Sequence, residues 1–223
     1  MGSIRANVEA VRERMRHAER RAGRTEGATV LLAATKSVDP ASIAEAVSAG
    51  VKVIGENRVQ EAESKMSGLP EGVEYHMIGH LQSNKVRTAM KLFDCIQSVD
   101  SKKIAQLVAT EALRLGHARR VMLEVNVAGE ASKGGFAPDD LRRDFDEISE
   151  MKGLMVEGLM TIPPADDPLA ARPYFKQIAG LARELFVDRP AQLSMGMSHD
   201  LEVAIEEGAT IVRVGTAIFG VRN

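Results

Sequence analysis

The chain predicts an α/β protein: a single (β/α)8 barrel of the TIM type with an extra N-terminal helix. Three observations carry that reading. Short β-rich apolar runs alternate with helical periodicities along the whole chain, the alternation counts eight units, and the helical stretches open and close on turn chemistry. With 223 residues, 44% apolar and 27% charged, there is material for one well-buried core. No linker or low-complexity segment divides the chain, so residues 1–223 read as one domain. Such barrels typically take about 250 residues, and this one is expected to be compact. The alternative, an open doubly wound sheet, lacks the Gly-x-Gly-x-x-Gly turn that would support it after the first strand.

The elements follow in order. Ile4, Val8, Val11 and Met15 fall at helical spacing and predict an amphipathic helix over 3–21. Its polar side alternates Arg5, Arg12, Arg14, Arg16, Arg20 and Arg21 with Glu9, Glu13 and Glu19, which reads as a solvated, internally paired face. Gly23 and Gly27 end this helix. Strands are expected at 30–35, 51–55, 74–78, 95–99, 121–127, 155–160, 192–195 and 210–214. Helices are expected at 40–49, 57–66, 102–115, 138–151, 169–186 and 200–207, with a short extra helix at 217–219. Asp39-Pro40 and Ala137-Pro138 are helix openers, and Gly50, Gly116 and Gly208 are stops. The third unit is the weak one, because 83–92 supports only a short helix. The proline-rich stretch 163–168 reads as a long loop at the active face.

Composition excludes several functions. A net charge of −2 does not describe a protein built as a whole for nucleic acid. One cysteine, Cys95, rules out a disulfide framework within the chain and points to a reducing cytoplasm; it reads as a small core residue. No apolar run reaches membrane-spanning length, and the Arg- and Glu-rich N-terminus is no secretory signal. Met1-Gly2 opens like a myristoylation site, but Ala6 stands where Ser or Thr is needed. His76 and His80 belong to a strand and its end, too far apart for one metal, and His17 and His117 read as helix-surface residues. The Gly-x-Ser-x-Gly nucleophile motif is absent. The eleven methionines are core fillers, except that Met160, ending the sixth strand, can touch a pocket.

Chemistry concentrates at the expected barrel mouth. Lys36 closes the apolar run 30–35, which places an amine at a strand's carboxyl end, where a partly desolvated lysine can condense with a carbonyl. After the seventh strand, Ser194-Met195-Gly196-Met197-Ser198 offers close backbone approach at Gly196 and a hydroxyl at Ser198. After the eighth, Gly215-Thr216 repeats the pattern. These are the two loops where barrels commonly hold phosphate. Arg213, inside the last strand, needs a polar ligand or a carboxylate as partner; an ion pair outside the barrel is the alternative.

Thr35-Lys36, 55–61 (GENRVQE), 76–85 (HMIGHLQSNK), 194–198 (SMGMS) and 212–220 (VRVGTAIFG) closely resemble the pyridoxal phosphate homeostasis protein family, from about Val8 to Arg222. That family has the barrel also found as the N-terminal domain of alanine racemase. The resemblance implies pyridoxal phosphate (PLP) as cofactor, held by Lys36 as an internal aldimine. Ser198, Gly215 and Thr216 would hold the phosphate, with Ser194, Gly196 and Met197 in the same motif, and Arg213 would face the pyridine nitrogen. Asn57 and His80 would line the pocket. His199 stands where an acidic or small residue is expected.

An arginine at the pyridine nitrogen discourages its protonation and weakens the ring as an electron sink. Racemisation also needs a second acid/base, in alanine racemases a tyrosine from a second domain. This chain reaches Asn223 soon after the eighth strand, and its two tyrosines, Tyr75 and Tyr174, are not placed to reach the mouth. The expected function is therefore non-catalytic: storing or delivering PLP, with PLP-dependent apo-enzymes as recipients and a monomer as the simplest state. The rival is a small PLP-dependent amino-acid racemase with Lys36 as base; a third reading is nucleic-acid or protein binding through the first helix.

Overall fold

The structure, a computed structural model, describes residues 3–65, 68, 71–130, 133–164 and 167–220. Met66, residues 165–166 of the proline-rich loop, Met1-Gly2 and Arg222 lie outside the described residues. Eight strands alternate with helices: α1 (Ile4–Arg21), β1 (Val30–Ala34), α2 (Pro40–Ser48), β2 (Val53–Glu56), α3 (Val59–Lys65), β3 (Glu74–Met77), α4 (Val86–Leu92), β4 (Cys95–Val99), α5 (Lys102–Leu115), β5 (Arg119–Glu124), α6 (Pro138–Ser149), β6 (Leu154–Met160), α7 (Pro168–Leu185), β7 (Gln192–Ser194), α8 (Leu201–Glu206), β8 (Ile211–Val214) and α9 (Thr216–Phe219). The strands pair in chain order, all parallel, and β8 returns to β1 with Leu32 opposite Arg213 and Ala33 opposite Val214. The sheet is a closed (β/α)8 barrel.

Local chemistry explains the boundaries. Ser3 caps α1 by accepting the Ala6 N–H at 3.2 Å, and Asp39 caps α2 through the Ser42 N–H at 3.0 Å, with Pro40 at the first helical position. Gly116 ends α5 in the left-handed region, φ 77°. The weak third unit is a 3-10 turn, Ser83–Lys85, running into α4. The fifth strand starts earlier than its apolar run predicts, at Arg119. Both arginines find partners there: Arg119 donates to the carbonyls of Met90 and Phe93, while Arg120 pairs with Glu74 and Glu157. It also ends earlier, at Glu124; Val125 still donates its N–H to the Met160 carbonyl at 2.8 Å and bridges Phe136 on its other side. His117 lies in the bend after Gly116 and not on the helix surface.

Strand alternation sorts side chains into two layers. Leu31, Ala33, Ile96, Val121, Leu123, Leu159, Val212 and Val214 face the helices and share a core with Val108, Phe145 and Phe175. Leu32, Val53, Ile78, Cys95, Met122, Met160 and Ile211 form a separate apolar plug inside the barrel. Cys95 is buried in it, and burial pushes its thiol pKa far up, so it is inert packing.

Helix α1 is more than a solvated face. Arg16 does pair with Glu9 and Glu13 on the surface, but its neighbours reach into the barrel units. Arg12 donates to the carbonyls of Ala49 and Gly50, Arg14 to Glu202 and to the Ser198 carbonyl, and Arg24, just beyond the helix, to the carbonyls of Ile205 and Ala209. Glu19 is buried and accepts the N–H groups of Gly27 and Thr29, each at 2.8 Å. Glu19→Ala leaves both N–H groups without that acceptor and is expected to cost about 2–4 kcal/mol. Urea unfolding should show a lower midpoint with an unchanged slope; an unchanged midpoint would contradict this role for Glu19.

Candidate functional site

The carboxyl ends of the strands form the mouth, and the best-anchored loop there carries Lys36. Thr35 is buried: its N–H reaches the Gly55 carbonyl at 2.9 Å and its hydroxyl donates to Glu56 Oε1 at 2.6 Å. Lys65 Nζ, from α3, binds the Thr35 carbonyl at 2.8 Å, Glu56 at 3.1 Å and Glu61 at 2.6 Å. Glu61 also accepts the Ser37 N–H at 2.5 Å. Ser37 has φ 57°, a positive value that no other non-glycine residue shares among the described residues. Such a conformation costs about 1 kcal/mol or more and persists only where neighbours impose it, as Glu61 does here. Burial raises the Glu56 pKa, while Thr35 and Lys65 act in the opposite sense. The backbone of Lys36 is thus fixed, yet its side chain is exposed rather than partly desolvated as its place after an apolar run predicts. The strand stops at Ala34 and the turn at Ser37 brings Lys36 to the rim.

The register places this loop beside the end of β8. There Ser194 and Arg213 are buried, and Gly196 takes φ 91°, where a Cβ would lie 2.5 Å from the Ala204 Cβ. Only glycine lets the backbone pass so close to α8. Gly196 O accepts the Arg213 N–H at 2.9 Å, and Met197 N–H donates to Asp200 Oδ1 at 2.6 Å. Asp200 Oδ2 is buried without a hydrogen-bond partner. Ser198 Oγ accepts the Ala217 N–H at 3.2 Å and so ties the β7 loop to α9. The N–H groups of Gly215 and Thr216 precede the first hydrogen bonds of α9, those of Ile218 and Phe219 to Gly215 O. One corner of the mouth therefore gathers a fixed lysine, hydroxyls at Ser198 and Thr216, and backbone donors, a set suited to a phosphorylated carbonyl compound.

Arg213 lies inside the barrel and not in an ion pair outside it. Its Nη1 donates to Ser194 Oγ at 2.7 Å and its Nη2 to the Thr161 carbonyl at 2.8 Å. Burial pushes its pKa down to about 10 against the pull of Glu124 and Asp200, so it is cationic at neutral pH. Glu124, at the end of β5, is pushed up to about 7 by burial and by Asp100, with Arg213 and His80 acting in the opposite direction.

Asn57 and His80 stand on the neighbouring β2 and β3 loops, which pack so closely that a Cβ on Gly79 would lie 2.4 Å from Asn57 O. They share a cleft of about 490 Å³ with Arg58, Gln60, Gln82 and Lys85. His80 Nδ1 lies 2.9 Å from Asp100 Oδ2. Met160 is fully buried in the apolar plug, as part of the floor rather than the wall. Sequence reasoning missed Gln97, Thr161, Glu124, Asp100 and the Glu56–Lys65 pair. For Gln97 a signal existed: it is a polar residue two positions after Cys95 in a strand that is otherwise mostly apolar.

The alanine racemase N-terminal domain family matches residues 3–223. A curated relative from Aquifex aeolicus, named pyridoxal phosphate homeostasis protein, is 47% identical over 219 residues, covering 96% of each chain. One of the same name from Pseudomonas aeruginosa is 41% identical, covering 100% of this chain and 97% of its own. Among solved structures, PipY of Synechococcus elongatus PCC7942 with PLP bound superposes with a TM-score of 0.84 at 34% identity, covering 98% of this chain and 100% of its own.

Glu124 generates a pH prediction. Its folded-state pKa of about 7 lies above its unfolded value, so the folded protein binds the extra proton between roughly pH 4.5 and 7. Stability contributed by Glu124 therefore falls as pH rises through that window and is flat above it. Glu124→Gln, which imitates the protonated group, should be more stable than the parent by about 1–3 kcal/mol at pH 8. Near pH 4.5 the difference should vanish. Urea titrations at both pH values check this, and a difference that does not change with pH would refute it.

Proposed function

Because the chain belongs to the alanine racemase N-terminal domain family, we propose that it binds PLP at this mouth and serves PLP homeostasis, holding and releasing the cofactor rather than turning over an amino acid. The observation that carries the proposal is the adjacency of the anchored Lys36 loop to the end of β8, with the Ser198 and Gly215–Thr216 donors in the same corner. Gly196 keeps the backbone close-packed there, and the donor set suits a phosphate.

In this reading Lys36 supplies the amine that condenses with the cofactor's aldehyde, with loss of water. Ser198, Gly215 and Thr216 bind the phosphate, and Ser194, Gly196 and Met197 shape the loop that carries Ser198. Arg213 faces the ring nitrogen and, being cationic, disfavours its protonation. Asn57 and His80 bound the open side, above the floor that includes Met160. Bound PLP supplies an electrophilic carbonyl, and with the ring nitrogen unprotonated it is a weak electron sink. Tyr75 is the second residue of β3, toward the opposite end of the barrel, and Tyr174 sits on α7, so neither offers a second proton donor at the mouth. The names of the homeostasis relatives support the same reading. No helix among the described residues is long and apolar enough to cross a membrane. A cytoplasmic monomer that delivers PLP to apo-enzymes completes the proposal.

Intact mass after borohydride reduction of PLP-loaded protein, with peptide mapping, tests it. A phosphopyridoxyl adduct on Lys36, absent from Lys36→Ala, is the expected result. Ser198→Ala should retain the adduct but raise the PLP dissociation constant about tenfold or more, the loss of one hydrogen bond to a charged group. No adduct on Lys36 in the parent protein would overturn the assignment.

A further inference from the structure

Beneath the mouth a single file of polar side chains crosses the barrel interior. His76 on β3, Gln97 on β4, Ser194 on β7 and Arg213 on β8 all point inward, and each is at most 4% exposed. Arg213 Nη1 donates to Ser194 Oγ at 2.7 Å, and Ser194 Oγ donates to Gln97 Oε1 at 2.6 Å. Gln97 Nε2 lies 2.8 Å from His76 Nδ1, and His76 Nε2 lies 3.1 Å from Glu74 Oε2. Glu74 Oε2 also receives Arg120 Nη1 at 2.7 Å, at the end of the barrel opposite the mouth.

The direction of this file follows from the chemistry of its members. Arginine can only donate, so Ser194 accepts from it and has its one proton left for Gln97. Gln97 must then present its carbonyl oxygen to Ser194 and its NH2 to His76. His76 Nδ1 must in turn be a bare acceptor, which puts the proton on Nε2, opposite the Glu74 carboxylate. With a proton on Nδ1, the Gln97 amide would have to turn over. Ser194 would then accept from both Arg213 and Gln97, its own proton would lose its acceptor in the file, and the bond that orients Ser194 toward Arg213 would be broken.

We propose that His76, through Gln97 and Ser194, is a positioning residue for the Arg213 guanidinium and hence for the hold on the cofactor's ring. The proposal rests on Arg213 facing that ring, as argued above. Charged and titratable neighbours of His76 come from three elements: Glu74 on its own strand, Arg120 on β5, and Asp94 just before β4. Burial lowers the His76 pKa, Glu74 and Asp94 raise it and Arg120 lowers it, with a net lowering that keeps the ring neutral. The remaining partner of Arg213, the Thr161 carbonyl, fixes only one end of the guanidinium. Cutting the file frees the other.

Three variants test this: His76→Leu removes the acceptor, His76→Asn restores one near the Nδ1 position, and Gln97→Met cuts the file one link nearer Arg213. In the PLP-free protein, amide-style NMR of the Arg213 side chain should show its Nη or Nε protons exchanging at least tenfold faster in His76→Leu, with protection regained in His76→Asn. In PLP-loaded protein, His76→Leu should raise the PLP dissociation constant at least threefold. It should also shift the pH midpoint of the bound-cofactor absorbance band, while His76→Asn stays near the parent. Gln97→Met should reproduce His76→Leu and carries the test if His76→Leu does not fold. Unchanged Arg213 exchange in both His76→Leu and Gln97→Met overturns the proposal, as does failure of His76→Asn to differ from His76→Leu. Absence of a Lys36 adduct in the parent protein overturns the PLP reading instead; the exchange measurement still decides the coupling.

Discussion

A guanidinium inside a closed barrel is the constraint on which the rest of the interior depends. An unpaired buried charge costs far more than a domain's net stability can tolerate, so Arg213 can exist at this depth only with its donors satisfied. Ser194 and the Thr161 carbonyl each accept one of its N–H groups, and Ser194 in turn needs Gln97, which needs His76. One charged residue on β8 thereby dictates polar residues on β3, β4 and β7, in a layer that would otherwise be filled by aliphatic side chains. The apolar plug of Leu32, Val53, Met122 and Ile211 insulates this file from water, strengthening its hydrogen bonds and raising the cost of leaving one unmade.

The mouth depends on a second support from outside the barrel. Arg14 of α1 donates to the carbonyl of Ser198 and pairs with Glu202 on α8, so an element preceding the first strand holds the loop that follows the seventh. Glu19 and Arg24 fasten the end of that helix to the entry of β1 and the exit of α8. The pair Arg14–Glu202 is partly exposed and worth little by itself. Its effect is geometric: it limits how far the Ser198 loop can move from α9.

The barrel was legible because alternation, caps and stops agree along nearly the whole chain, from Asp39-Pro40 to Gly208. That Lys36, Ser198 and Gly215-Thr216 come to the same mouth was legible because strand ends in a barrel have a known place and the residues there carry unusual chemistry. The α1 contacts were not. A run of arginines interleaved with glutamates looks the same whether it faces water or reaches carbonyls 37 or 184 residues away. His76 was hidden differently: it lies in a short strand whose inward face is defined only once the barrel closes and its register is known. The exposure of Lys36 escaped because an apolar run predicts where a strand ends in space less well than where it ends in sequence.

That exposure bears on function. Buried lysines in catalytic sites gain reactivity from desolvation, at the expense of access. Here the Lys36 backbone is clamped by Thr35, Glu56, Glu61 and Lys65, while the side chain stands at the rim. In the proposed reading, rigid presentation of an exposed amine would favour reversible condensation with a carbonyl that arrives from and returns to solvent. Arg213 would then act in the same direction from below, because a cation facing the ring nitrogen would weaken the electron withdrawal that substrate chemistry requires. On that proposal the anchored but exposed lysine and the buried arginine would suit holding and exchange of a cofactor, with chemistry at a substrate carbon disfavoured by the same residue that organises the barrel's interior.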